Sequence, residues 1–310
     1  MVESEPFSAP TPLFSVIIAV CNDWVPLDRC LRSLAEQTHA PSKEVIVVDD
    51  GSRETAPEFI QRWASSYLLR IVRQPHAGIA TARNKGIQVS KGSVLVFVDA
   101  DCKLQTDCLS TLASTIKDSA QHNCFQLHLT GDCSGLVGRA EELRLQTLQE
   151  HMLQPNGCIR YLNTAGFAIR RTRIDDIEGE VFHPAALRNE DTLLLANLMQ
   201  AGELPRFVPN AIVQHAIPLS LMECFLKDIR SAFPEAKADD LIASKGVRIR
   251  ASHRERLSML ASMWKKSKRQ SIGRLAWFVV IARQGIGRFL SVAYSCFRVR
   301  PSSHLPASSS

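Results

Sequence analysis

Four short apolar runs, at residues 13–20, 44–48, 68–72 and 94–98, restrict what the first third of the chain can fold into. Each is nearly continuous rather than alternating, the pattern of a strand buried on both faces. Helical stretches separate them. Leu27, Cys30, Leu31 and Leu34 recur at helical spacing after Pro26, with Asn22 or Asp23 available as N-cap. A second stretch runs through Phe59, Ile60 and Trp63, a third covers 78–89 behind a leading glycine, and a fourth covers 104–116. This β-α-β-α-β-α-β rhythm predicts an α/β fold, a parallel sheet with helices on both faces.

Beyond it the pattern weakens. Residues 125–157 show only a helix over 141–152, then a strand is expected at 161–169, a helix at 191–199 and a strand at 206–215. With 310 residues and 45% apolar content the chain can bury a substantial core. Nine cysteines are scattered without a C-x-x-C pair, which suits reduced thiols in a cytosol better than a disulfide framework or a zinc site. The acidic, Pro-rich start has no apolar stretch and does not read as a signal peptide, so residues 1–12 are expected as a mobile tail. Residues 301–310 are expected as a second tail, and the location as cytoplasmic.

Charge divides the chain unevenly. Residues 245–300 hold 14 Lys and Arg against the single acid Glu255, so +13 there and +6 overall leave −7 for the remainder. From about 219 onward the pattern is helical and basic. Trp264, Trp277, Phe278, Phe289, Leu290 and Phe297 interleave with Lys265, Lys266, Lys268, Arg269 and Arg274. Arg283 and Arg288 interrupt the apolar stretch 275–297, which excludes a transmembrane helix. Two readings stand side by side. The segment lies on an anionic membrane surface, peripheral to its inner face, or it packs its apolar side on the acidic body and leaves a basic face to water. No recognition motif points to nucleic acid.

The candidate chemistry lies at strand ends, where open α/β sheets bind ligands. Asp99 and Asp101 follow the fourth strand, and residues two apart on an extended chain face one way. Two such carboxylates suit Mg²⁺ or Mn²⁺ holding a phosphate. The second strand ends in Asp49-Asp50-Gly51-Ser52, either a βα turn with Ser52 as N-cap or a carboxylate that binds a nucleobase or ribose. Neither G-x-G-x-x-G nor G-x-x-x-x-G-K-[ST] occurs, which disfavours a dehydrogenase or a P-loop NTPase. On the small-residue helix after Gly78, Arg83 can reach phosphate or base, or form a solvated edge. Glu190 and Asp191 are adjacent and diverge by about 100° on a helix, one free for an acceptor and one for structural or donor-side bonds. The alternative is a favourable acidic helix start.

These segments carry a family resemblance. FSVIIAVCND (14–23), VIVVDDGS (45–52), GIATARNKGI (78–87), VFVDADC (96–102) and NEDTLLLANLMQAG (189–202) resemble, in order and spacing, the motifs of glycosyltransferase family 2. The resemblance covers residues 13 to about 216. It implies a GT-A fold with a Rossmann-like sheet, a nucleotide-sugar donor, a divalent cation and an inverting single displacement. On it, Asp50, with Asp49, and Arg83 contact the nucleotide, and Asn22 keeps the family's Asn after the first strand. Asp99 and Asp101 hold ribose and metal-bound diphosphate, and Asp191 is the base. A histidine near the position of His215 serves several GT-A families as a third metal ligand, although a structural role is the other reading. Two departures stand out: Cys21 replaces an aromatic residue, and Gly166 stands where many members have Asn.

The expected organisation is a GT-A domain at about 13–218 and a basic helical region at 219–300. The expected activity is transfer of a sugar to a glycan or lipid-linked acceptor in polysaccharide, glycolipid or envelope synthesis. The competing reading is a non-catalytic GT-A-like binding or assembly protein at the membrane surface. A sugar nucleotidyltransferase would want a Gly-rich phosphate loop after the first strand, and there is none.

Overall fold

The computed structural model describes residues 11–133, 135–216, 220–249, 251–269 and 273–298. Most of the expected N-terminal tail, all of the C-terminal one and the expected boundary at 218 lie outside them.

The four apolar runs form β1 (Phe14–Val20), β2 (Lys43–Asp50), β3 (Leu68–Gln74) and β4 (Val94–Phe97), all parallel in the order β3-β2-β1-β4. Between them run α1 (Trp24–Ala35), α2 (Glu58–Gln61) continued by a 3-10 turn at Arg62–Ser65, and α3 (Ile79–Val89). Alternate residues of β1 serve opposite faces. Val16 and Ile18 join Leu27, Leu31 and Leu34 of α1 in one apolar layer, whereas Ile17 joins Leu95 and Phe97 in the other. Burial on both faces is why β1, β2 and β4 read as unbroken apolar runs, whereas β3, at the sheet edge, is only partly buried and carries Arg70.

The expectation of a parallel sheet holds for this half only. After β4 come β5 (Cys102–Leu104), α4 (Cys108–Asp118), β6 (Cys124–Gly131), α5 (Leu136–Met152), β7 (Phe167–Arg170), α6 (Arg171–Asp175), α7 (Glu190–Gln200) and β8 (Arg206–His215). The eight-stranded sheet continues β4-β7-β6-β8-β5, with β7 antiparallel to both neighbours and β5 antiparallel to β8. The helix expected at 104–116 starts only at Cys108, because Cys102–Leu104 pair with β8. The strand expected at 161–169 narrows to Phe167–Arg170, because Thr164–Gly166 form a 3-10 turn pressed onto β6. A Cβ at Gly166 would lie 2.8 Å from Leu129 Cδ2 and 3.3 Å from Leu127 Cβ, so a larger residue there would need the Leu129 side chain to shift. The α1 cap also differs. Asp23 occupies the N-cap position without a side-chain bond, and Asn22 adopts positive φ and accepts from the Arg53 N–H at 2.9 Å.

The basic region is three helices, α8 (Leu221–Ser244), α9 (His253–Ser267) and α10 (Gly273–Arg298). Ser220–Glu223 and Ser252–Glu255 form reciprocal capping boxes that start the first two. The helices are not free of the body. Met263 of α9 and Ala276, Val279 and Val280 of α10 pack on Ala140 and Leu143 of α5. Arg283 reaches Asp228 at 2.7 Å, joining α10 to α8. At the α9–α10 end, Trp264 meets Trp277 edge-to-face at 5.1 Å, and Lys268 and Arg274 lie 5.5 and 6.0 Å from the Trp264 ring. Leu257, Leu275 and Phe278 are more than half exposed, whereas the side chains of Phe289, Leu290 and Phe297 lie outside the described residues. Among the described residues no helix is long and apolar enough to cross a membrane.

Candidate active site

The carboxylates meet at the C-terminal edge of the parallel half. Asp99 and Asp101 do not extend β4. They sit in a tight turn before β5, closed by the Cys102 N–H donating to the Asp99 carbonyl at 3.0 Å. The turn sends them to different partners, instead of setting them side by side as on an extended strand.

Asp99 faces α3. Arg83 is 2% exposed and divides its guanidinium between two carboxylates, donating to Asp99 Oδ1 at 2.8 Å and to Glu190 Oε1. A guanidinium is planar and has several donors, so it can bridge two acids that would otherwise repel. α3 can approach this closely because Gly86 lies against β1, where a Cβ would come within 2.4 Å of Ile17 Cγ2.

Asp101 faces β8. His215 Nε2 lies 3.2 Å from Asp101 Oδ2. Burial alone would raise the Asp101 carboxyl, but the His215 bond and charge, helped by Lys227, hold it below its ordinary value. Burial likewise opposes the charged imidazole, and Asp101 and Asp99 outweigh it, so His215 titrates above its ordinary value. Ligand atoms of Asp101, Cys102 and His215 all lie within 4.8 Å of one another. A carboxylate oxygen and an imidazole nitrogen suit a borderline-hard cation such as Mn²⁺. Burial and the two aspartates push the Cys102 thiol well above its ordinary value, so it stays protonated and a poor ligand.

Asp191 opens α7 beside Glu190. Burial first and the Glu190 charge second raise its carboxyl to about 7, against the opposing pull of Arg83 and the Thr192 N–H at 2.6 Å. A carboxylate poised there can accept a proton near neutral pH.

The end of β2 is already engaged. Asp50 accepts from the Ala77 and Gly78 N–H groups, each at 2.9 Å, and from Gln74 Nε2 at 2.8 Å, tying the start of α3 to the sheet. Asp49 accepts from the Ser52 N–H at 2.8 Å and lies 3.5 Å from Arg73 Nε. Asn22 bridges this loop to the first, its own N–H donating to Ser52 Oγ at 2.9 Å. Thus Arg83, Asp99 and Glu190 form one group and Asp101 and His215 another, while Asn22, Asp49 and Asp50 build the adjoining wall.

Sequence reasoning missed two groups here. Lys227 of α8 acts electrostatically on both Asp23 and Asp101, and burial together with Asp101 raises the Asp23 carboxyl. No local signal marks either, since their meeting depends on how α8 folds back.

Residues 15–179 match the family described as Glycosyl transferase family 2. The protein named Glycosyltransferase AglE of Haloferax volcanii is 37% identical over 108 residues, 34% of this chain and 36% of that protein. A cholesterol galactosyltransferase of Borreliella burgdorferi is 29% identical over 117 residues, 37% of this chain and 32% of that protein. These alignments thus span about a third of each relative's length. Among solved structures, the mannosyltransferase PcManGT of Pyrobaculum calidifontis, in complex with GDP-Man and Mn²⁺, superposes with a TM-score of 0.63. It covers 96% of this chain and 92% of that one at 16% identity. TarS of S. aureus in complex with UDP gives a TM-score of 0.54 at 17% identity, covering 92% of this chain and 91% of that one. At such identities the likeness is one of fold, the GT-A fold, and with more than half of the sequence matched, the chain belongs to glycosyltransferase family 2.

Proposed function

We propose that the protein transfers a sugar from a nucleoside-diphosphate donor to an acceptor hydroxyl with inversion, by a single displacement. The observation that carries this is the Arg83 bridge. One buried guanidinium holds Asp99, on the donor side, and Glu190, the neighbour of Asp191, so donor and base stand in fixed relation. Asp191 removes the acceptor proton as the new bond forms, a contribution of about 10²–10⁴-fold. Glu190 stays with Arg83 and keeps the base helix in place. Asn22, Asp49 and Asp50 line the nucleotide side, with Asp99 directed to the ribose and diphosphate.

Asp101 and His215 would hold Mg²⁺ or Mn²⁺, with Asp99, two residues away and bound to Arg83, as the third expected ligand. Such an ion would act as a Lewis acid for the charge that builds on the leaving diphosphate, worth several kcal/mol. Lys227 adds fixed positive charge at the same place. PcManGT and TarS, the structural neighbours, bind GDP-Man with Mn²⁺ and UDP respectively, which supports a nucleotide-sugar donor here. The acceptor is a glycan or a lipid-linked glycan of a polysaccharide, glycolipid or envelope assembly. We place residues 13–218 as the catalytic domain and 219–300 as its basic helical region. That region, with exposed Leu257, Leu275 and Phe278 and with Lys268 and Arg274 at Trp264, would rest on the anionic inner face of a membrane from the cytoplasmic side.

Calorimetric titration with UDP, GDP, CDP and ADP, in Mn²⁺ and in EDTA, tests the reading. One nucleotide should bind in a metal-dependent way, and Asp101→Ala should abolish that dependence. Failure of all four to bind would remove the donor site.

A further inference from the structure

Asn84 follows Arg83 on α3 and projects about 100° away from it. Its side chain forms a two-point clamp on one residue of the irregular segment 176–189, which links α6 to α7. Asn84 Nδ2 donates to the Phe182 carbonyl at 2.7 Å, and the Phe182 N–H donates to Asn84 Oδ1 at 3.0 Å. The clamped residue is fully buried, and its ring meets Phe97 edge-on with centroids 5.1 Å apart. The Arg83 guanidinium lies 5.6 Å from the centroid of the same ring. Phe97 ends β4, two residues before Asp99. One phenylalanine therefore touches the strand that leads into Asp99, the arginine that binds Asp99, and the segment that delivers Glu190 and Asp191.

Most of that segment is exposed, with Val181, Phe182 and Ala186 the buried residues between Ile174 and Glu190. A chain so loosely covered holds its place through few contacts, and local opening follows where contacts are few. The clamp satisfies both backbone groups of Phe182 by side-chain bonds that no neighbouring strand supplies. Losing it would free the ring from beneath Arg83 and release the start of α7 from the donor-side carboxylate. Misplacing a catalytic group by about 1 Å can cost roughly 10²-fold in rate.

We propose that Asn84 is a positioning residue: by pinning Phe182 beneath Arg83 it sets the 176–189 segment, and with it Asp191, in register with Asp99. The proposal rests on the reading of Asp191 as the base. Three measurements on Asn84→Ala separate it from ordinary core stabilisation. Amide hydrogen exchange over residues 182–191 should quicken by about tenfold or more, with β1 and β4 unchanged. The kcat of donor turnover should fall by roughly 10- to 100-fold at little change in donor KM. Affinity for the nucleoside diphosphate should stay within about threefold, because no nucleotide contact is altered. Asn84→Asp keeps the bond from the Phe182 N–H but sets an acceptor oxygen against the Phe182 carbonyl, so it should loosen the segment at least as much. It also serves as the reporter if Asn84→Ala does not fold.

Unchanged exchange in 182–191 overturns the clamp whether or not the protein transfers sugar. Parallel loss of nucleotide affinity and kcat overturns it too, since Asn84 would then act on the donor. A wild-type protein that turns over no donor refutes Asp191 as base, while the exchange data still decide the clamp.

Discussion

At the scale of single residues, the site sets one carboxylate against another through environment. Asp191 is pushed up by burial and by Glu190, while Asp101 is held down by His215. A base works only when ionised, so kcat should rise with pH through the raised Asp191 value of about 7 and level off above it. A pH–rate profile in saturating donor and acceptor reads this directly, and an acid limb near the ordinary aspartate value would remove Asp191 from the role. Asp191→Asn should keep nucleotide binding and lose about 10²–10⁴-fold in kcat. His215 makes an opposite demand. It must be neutral to ligate a cation, and Asp101 raises its proton affinity. Mn²⁺ affinity should therefore increase as pH rises through that elevated range, with proton release on binding, and His215→Asn should flatten the dependence. Titration in two buffers of different ionisation enthalpy measures the proton.

At the scale of elements, α3 matters most because its distance from β1 sets where Arg83 lies. Gly86 is the point of closest approach, and Ile17 opposite it is buried and β-branched, so it cannot move aside. Gly86→Ala gains about 1 kcal/mol of helix propensity. Overpacking costs about 1–3 kcal/mol, and at so stiff a contact the upper end applies. The variant should be net destabilised by about 1–2 kcal/mol in urea, with kcat reduced as Arg83 shifts. The same contrast explains what the sequence revealed. β1, β2 and β4 announce themselves because each is regular and buried along nearly its whole length, whereas β3 and α3 show only through their apolar or small residues. β5 and β6 carry no such signal, and the strand expected at 161–169 takes in the 3-10 turn that precedes β7. β5 is three residues long and exists only through its pairing with β8, a long-range contact that no local pattern encodes. Likewise Asp99, Asp101 and Asp191 were legible as residue types at strand and helix ends. The turn that splits the first two, the engagement of Asp50 by two backbone amides and Gln74, and the arrival of Lys227 all depend on tertiary packing.

At the scale of the whole molecule, charge separates along the chain while packing does not. The basic C-terminal helices bury Met263 and Val280 on α5 and still expose Leu257, Leu275 and Phe278. The packing on α5 matches the reading of a helical region seated on the body, and the membrane reading is one for flotation to test. Full-length protein should float with vesicles rich in phosphatidylglycerol and dissociate as salt rises, and failure to float at low ionic strength would leave the packing role alone. The Arg83–Glu190 contact joins residues 107 positions apart. The family match closes at residue 179, ahead of Glu190, Asp191 and His215. A chain emerging from the ribosome displays the matched stretch while its buried arginine still has one acid instead of two and no base has yet been made. Ancestry can be read from the first part of such a message, but chemical competence begins only when the later part has come back to meet it.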